Sequence, residues 1–226
     1  MKRAIILFGV LLSFSLLGLK PDVNPVVVNQ EMVFHSIVLK GNYEVYISQG
    51  SDSQLEIKGN RKSLETWVDG GVLYVEGSSK IWKGGDAVLY IQVDELRSLV
   101  SAGAIEIHTK GMISGKELIL ELAGASEASL DLDYRKLRME TAGATEVDLR
   151  GSALYADYKT VGASEINAIE FKVRSLGIET AGASELEVFV TDEMKVKARG
   201  ASEIRYRGNP PNIIRDLKGA SSLEAI

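Results

Sequence analysis

The sequence predicts an all-β protein, a parallel right-handed β-helix or solenoid with coils of about 19 residues, its N-terminal part made of irregular β coils or hairpins. Three observations carry this expectation. The dipeptide Gly-Ala begins at Gly103, Gly124, Gly143, Gly162, Gly182, Gly200 and Gly219, at spacings of 21, 19, 19, 20, 18 and 19 residues. Around each copy, apolar and polar residues alternate with the period of two that marks a half-buried strand. Upstream, alternating runs are separated by clusters rich in Gly, Asn and Asp, which is turn chemistry.

The repeats over 96–226 set the architecture. Four copies read Gly-Ala-Ser-Glu, with Gly-Ala-Ile-Glu at 103, Gly-Ala-Thr-Glu at 143 and Gly-Ala-Ser-Ser at 219. In one copy Leu137, Met139, Thr141, Gly143, Thr145, Val147 and Leu149 share a face, so bulky chains flank a centre of small ones. Such a centre suits an inside corner, where no space is left for a Cβ and glycine tolerates unusual backbone angles. Nineteen residues at roughly 3.3 Å each span about 60 Å, enough for a coil of two or three short strands. A leucine-rich repeat would need Leu-x-x-Leu-x-Leu-x-x-Asn, and a calcium-binding nonapeptide helix Gly-Gly-x-Gly-x-Asp; neither pattern is present.

Residues 33–95 lack the Gly-Ala corner but keep alternation, as in Tyr43, Val45, Ile47 and in Val88, Tyr90, Gln92. They are expected to begin the same domain, 33–226, and to cap its first edge, with Gly41-Asn42, Gly59-Asn60 and Gly84-Gly85-Asp86 as turns. Asn209-Pro210-Pro211 is the expected cap at the other end, since proline donates no ladder hydrogen bond. At the N-terminus, Met1-Lys2-Arg3 and the sixteen mostly apolar residues Ala4 to Leu19 read as a secretory signal over 1–20. That run is shorter than the roughly 20 residues that cross a bilayer, so no membrane span is expected in the mature chain.

Composition narrows the chemistry. An acidic balance, with a pI near 5.3, argues against nucleic acid as a partner. The absence of cysteine excludes disulfides, thiolate metal sites, a cysteine nucleophile and the bacterial lipid anchor that is attached through cysteine. Two histidines, His35 and His108, leave little room for a catalytic triad or a zinc cluster; both are expected to be solvated. No cofactor, metal or catalytic residue is expected.

The repeat would turn each position into a row. Glu106, Glu127, Glu146, Glu165, Glu185 and Glu203 would form an outward file of carboxylates beside an inward file of Ser126, Thr145, Ser164, Ser184, Ser202 and Ser221. The glutamates admit two readings: solvated residues paired with nearby Lys or Arg, which is favoured, or a cation- or partner-binding edge. The hydroxyls are expected to satisfy backbone groups at the bend. Trp67, Trp82 and the tyrosines are expected to pack in the core or cap rather than stack on sugars.

The Gly-Ala-Ser-Glu iterations, the segment Phe34-x-x-Ile37 with Gly41-x-Tyr43-x-Val45-x-Ile47, and the closing Gly208-Asn209-Pro210 together resemble the GIN-domain family, described as auto-transporter adhesin heads. The resemblance covers 33–226. It implies an exported β-helical protein of the Gram-negative cell envelope, periplasmic or at the surface, with an adhesin-like role. The expected function is therefore non-catalytic binding of an unidentified protein or glycan, with self-association into a homo-oligomer compatible with it. A carbohydrate-active lyase or hydrolase on a parallel β-helix is the alternative, and an envelope structural or regulatory module a third reading.

Overall fold

The computed structural model describes residues 33–59, 64–77 and 87–226. The expected signal segment, Trp82 and the Gly84-Gly85-Asp86 turn lie outside the described residues. These residues form twelve strands and no helix, joined into one sheet that does not close into a barrel. No helix among them is long and apolar enough to cross a membrane.

Strand β1 (Ser36–Gln49) pairs in parallel with β6 (Ser98–Thr109), from Ser36↔Ser98 to Ile47↔Thr109. Next come β7 (Ile113–Gly124), β8 (Glu127–Gly182) and β9 (Glu185–Gly200), each laid in parallel on the one before. The 56 residues of β8 are continuous β structure spanning several copies of the repeat, and the backbone departs from the extended conformation at Gly143, Gly151 and Gly162, whose φ values are 112°, 112° and 114°. Strands β10 (Glu203–Arg207) and β11 (Asn212–Gly219) both pair with β9, and β12 (Ser222–Ala225) with β10. Strands buried on one face demand an apolar side chain at every second position. Ile107, Ile113, Leu120, Leu132, Met139, Leu149, Val188 and Val196 supply it, all at most 1% exposed. Each such side chain contributes about 1.5–3 kcal/mol of burial.

The first edge is built differently. β4 (Val72–Gly77) and β5 (Ala87–Val93) divide one neighbour of β1 between them, pairing with residues 36–40 and 44–49. Each carries an antiparallel partner, β3 (Leu64–Asp69) on β4 and β2 (Gln54–Gly59) on β5. The β3–β4 hairpin turns at Gly70-Gly71, whose φ values of 57° and 78° fit a tight primed turn.

Two local expectations change. Gly41-Asn42 is no turn; it lies within β1, where Gly41 pairs with Gly103. Asn209-Pro210-Pro211 does not end the ladder, which resumes in β11 and β12; the prolines fall between strands, where no ladder donor is lost.

The repeat glycines lie in one column. Gly41↔Gly103, Gly103↔Gly124, Gly124↔Gly143, Gly182↔Gly200 and Gly200↔Gly219 are direct pairs. Their φ values are all positive. The column runs along the surface, not the interior, so lack of inner space is not what excludes a side chain. A Cβ on Gly143 would meet the Gly124 carbonyl oxygen at 2.5 Å, and one on Gly162 the Gly143 oxygen at 2.5 Å. Neighbouring backbones approach too closely for any other residue.

Four substitutions test this packing by chemical denaturation, read as midpoint shifts at unchanged slope. G143A is expected to cost about 1–3 kcal/mol from backbone strain and more from the clash, whereas G111A, at φ 83° with open space around it, should cost only about 1 kcal/mol. Tyr158 is 1% exposed, and its hydroxyl has no hydrogen-bond partner among the described residues. Y158F is expected to stabilise by about 1 kcal/mol. Y134F should destabilise by a similar amount, because the Tyr134 hydroxyl donates to the Leu96 carbonyl at 2.7 Å.

Candidate functional site: a carboxylate file beside a shallow groove

Strand alternation after each column glycine sends the next residue to the surface, the one after it inward and the third outward. The first is usually alanine, the second Ser or Thr, the third Glu. The outward position is occupied in register by Glu44↔Glu106, Glu106↔Glu127, Glu165↔Glu185 and Glu185↔Glu203. Glu146 stands beside Glu127, its backbone N–H donating to the Ser126 carbonyl at 3.0 Å. Neighbouring carboxylates are therefore set about 4.8 Å apart at their backbones. Along the file runs a shallow groove, lined by Ala104, Ala125, Ala144, Ala163 and Ala183 and walled by Glu106 to Glu185.

Behind the groove the second positions are buried: Ser126, Thr145, Ser164, Ser184 and Ser202 are all at most 4% exposed. They bond chiefly to other hydroxyls, two residues before the glycine of the preceding repeat. Thr141 and Ser164 lie 3.0 Å apart, the Thr160 hydroxyl donates to Ser184 at 3.2 Å and that of Thr180 to Ser202 at 2.9 Å. Thr145 also donates to Ser164 at 3.0 Å. Ser126 and Ser221 do reach backbone, at the carbonyls of Gly103 and Gly200. Small polar side chains thus line the space behind the column while satisfying one another, as buried hydroxyls must.

Charge placement divides the surface. Away from the file, opposite charges face each other across neighbouring strands: Lys136 with Glu117 at 3.0 Å, Lys159 with Glu140 at 3.3 Å, Arg174 with Asp192 at 2.7 Å and Arg199 with Asp216 at 2.7 Å. Glu121 departs from this pattern, and burial together with the nearby Glu140 carboxylate pushes its carboxyl above the usual range. Within the file, Arg205 binds Glu185 and lies 3.8 Å from Glu203, also holding Glu187 at 2.7 Å. Among the described residues, Glu127, Glu146 and Glu165 have no such cation.

Three features lay outside the sequence reading. Glu44 heads the file; Gly41-Asn42-Tyr43-Glu44 holds an acid three residues after a glycine, and only the missing alanine disguised it. Hydroxyls two residues before the glycine, at Ser101, Thr141, Thr160 and Thr180, recur at the same spacing. The histidines are also engaged: His35 Nδ1 lies 3.0 Å from Asp94 Oδ1, and the His108 ring sits 5.3 Å from that of Tyr46.

Solved structures share this fold. A "putative adhesin" from Bacteroides fragilis NCTC 9343 superposes with a TM-score of 0.80 at 20% identity, over 85% of this chain and 92% of that one. A "putative lipid binding protein" from Parabacteroides distasonis ATCC 8503 gives 0.72 at 21% identity, over 87% and 94%. A "putative adhesin" from Parabacteroides merdae ATCC 43184 gives 0.59 at 19% identity, over 88% and 94%. No curated protein matches the sequence. The model of one family, described as "Putative auto-transporter adhesin, head GIN domain", matches residues 33–210, and the chain belongs to that family.

Proposed function

We propose that the protein is an exported, non-catalytic, adhesin-like binding protein, wound as a right-handed β-solenoid and engaging its ligand along the carboxylate file. One observation carries this reading. At several positions away from the file the surface pairs opposite charges across neighbouring strands, yet here like charges stand in a row and the middle three have no cation among the described residues. Adjacent carboxylates at this spacing repel by about 1 kcal/mol even in bulk water. The fold accepts that cost along an exposed groove, where an incoming ligand can supply the missing charge or donors.

The ligand is a protein surface or a glycan bearing cationic or hydroxyl groups; polyanionic chains are disfavoured by like charge. The uniform glutamate wall differs from the lyase or hydrolase arrangement, in which clustered carboxylates meet a basic residue in one cleft. Family membership and adhesin-like neighbours support export to the periplasm or cell surface.

The test is a glycan and matrix-protein array probed with the parent protein and with E127Q/E146Q/E165Q. The parent is expected to capture a ligand and the triple variant to lose at least about tenfold in affinity, equivalent to about 1.4 kcal/mol. The variant's melting temperature should equal or exceed the parent's, since repulsion has been relieved. Undiminished capture by the variant would move binding away from the file, and turnover of any polysaccharide would overturn the non-catalytic reading.

A further inference from the structure

At its first end the file meets a histidine. Glu44 on β1 pairs directly with Glu106 on β6, and His108 follows two residues later on the same outward face. One ligand atom from each of Glu44, Glu106 and His108 lies within 4.8 Å of those of the other two. Two carboxylate oxygens and one imidazole nitrogen can thus converge on a single point from two rigid, paired strands. This donor set differs chemically from the rest of the file, which offers oxygen alone.

The surroundings hold these side chains in place. The Glu44 carboxylate beside Tyr46 holds its phenol above the usual range. The Tyr46 ring stacks on Tyr90 at 5.4 Å, and His108 leans against its other neighbour position at 5.3 Å. Lys110 lies over the Tyr46 and Tyr90 rings at 4.7 and 4.2 Å, and Lys58 over Tyr90 at 4.4 Å. Among the described residues neither Glu44 nor Glu106 has a Lys or Arg in ion-pairing contact. An imidazole oriented by ring packing is an outer support of the kind that metal ligands commonly use.

We propose that Glu44, Glu106 and His108 form a surface site for one divalent transition ion of the zinc, nickel or copper class. An imidazole with two carboxylates suits these borderline ions. Calcium prefers six to eight oxygens and magnesium keeps most of its water, so neither is well served. The open positions of a three-ligand surface site would be completed by water or by a donor from a binding partner. The site does not depend on the rest of the file taking part in ligand binding.

The test is calorimetric titration of the intact protein with zinc chloride in a non-chelating buffer. One equivalent is expected to bind, with an affinity at least about tenfold weaker in H108A and E44Q, and unchanged in E146Q. Because the chain holds two histidines, substoichiometric copper in a proton NMR spectrum gives a check that needs no variant: the His108 ring resonances should broaden before those of His35. Absence of saturable zinc binding would overturn the proposal. So would full affinity in a folded H108A, displacement of zinc by millimolar calcium, or equal broadening of both histidines.

Discussion

Everything in this molecule depends on how closely one glycine backbone can approach the next. At each column position a carbonyl oxygen occupies the place where the following glycine would carry its Cβ, so any side chain would push neighbouring strands apart. The contact fixes register to a single residue. In a sheet with one buried face, a slip by one residue would send every aliphatic chain to solvent and every carboxylate into the core. The small-residue column and the aliphatic filling therefore enforce the same alignment, and agreement between local and global preferences is what gives a sequence one structure.

Register in turn writes the surface. Because equivalent positions sit side by side, the chemistry of one residue is multiplied along the sheet, and the chain uses this in opposite ways. At several outward positions it sets opposite signs side by side, so that Glu140 finds Lys159 and Arg174 finds Asp192. Three residues after the glycine it keeps one sign, from Glu44 through Glu203. The inward hydroxyl row serves the same corner from behind, its members satisfying one another at a buried position that Ile105 and Tyr43 occupy in the first two rungs.

How much of this could be read from sequence follows from the same physics. The period of Gly-Ala and the alternation around it identify strands, faces and the glutamate row, because identical positions in a repeat meet identical surroundings. Gly41 and Glu44 escaped because Asn42 stands where the other copies have alanine, and because a long insertion separates them from Gly103. The hairpins within that insertion follow no repeat, so only tertiary pairing reveals that β4 and β5 divide one neighbour of β1. The grouping of Glu44 with His108 is of the same kind: it depends on pairing across residues more than sixty positions apart, which no local pattern encodes.

The antiparallel hairpins flanking β1 also bear on how such proteins change over evolutionary time. They finish one end with strands of reversed direction, so a new unit cannot be appended there without rebuilding the finish. Units in the middle meet only their own kind on both sides. Duplication or loss of about 19 residues between Gly124 and Gly200 would leave the hairpins and the C-terminal strands intact while lengthening or shortening the acidic row by about 4.8 Å per unit. Reach is thus a quantity that selection can adjust stepwise, independently of stability at the ends.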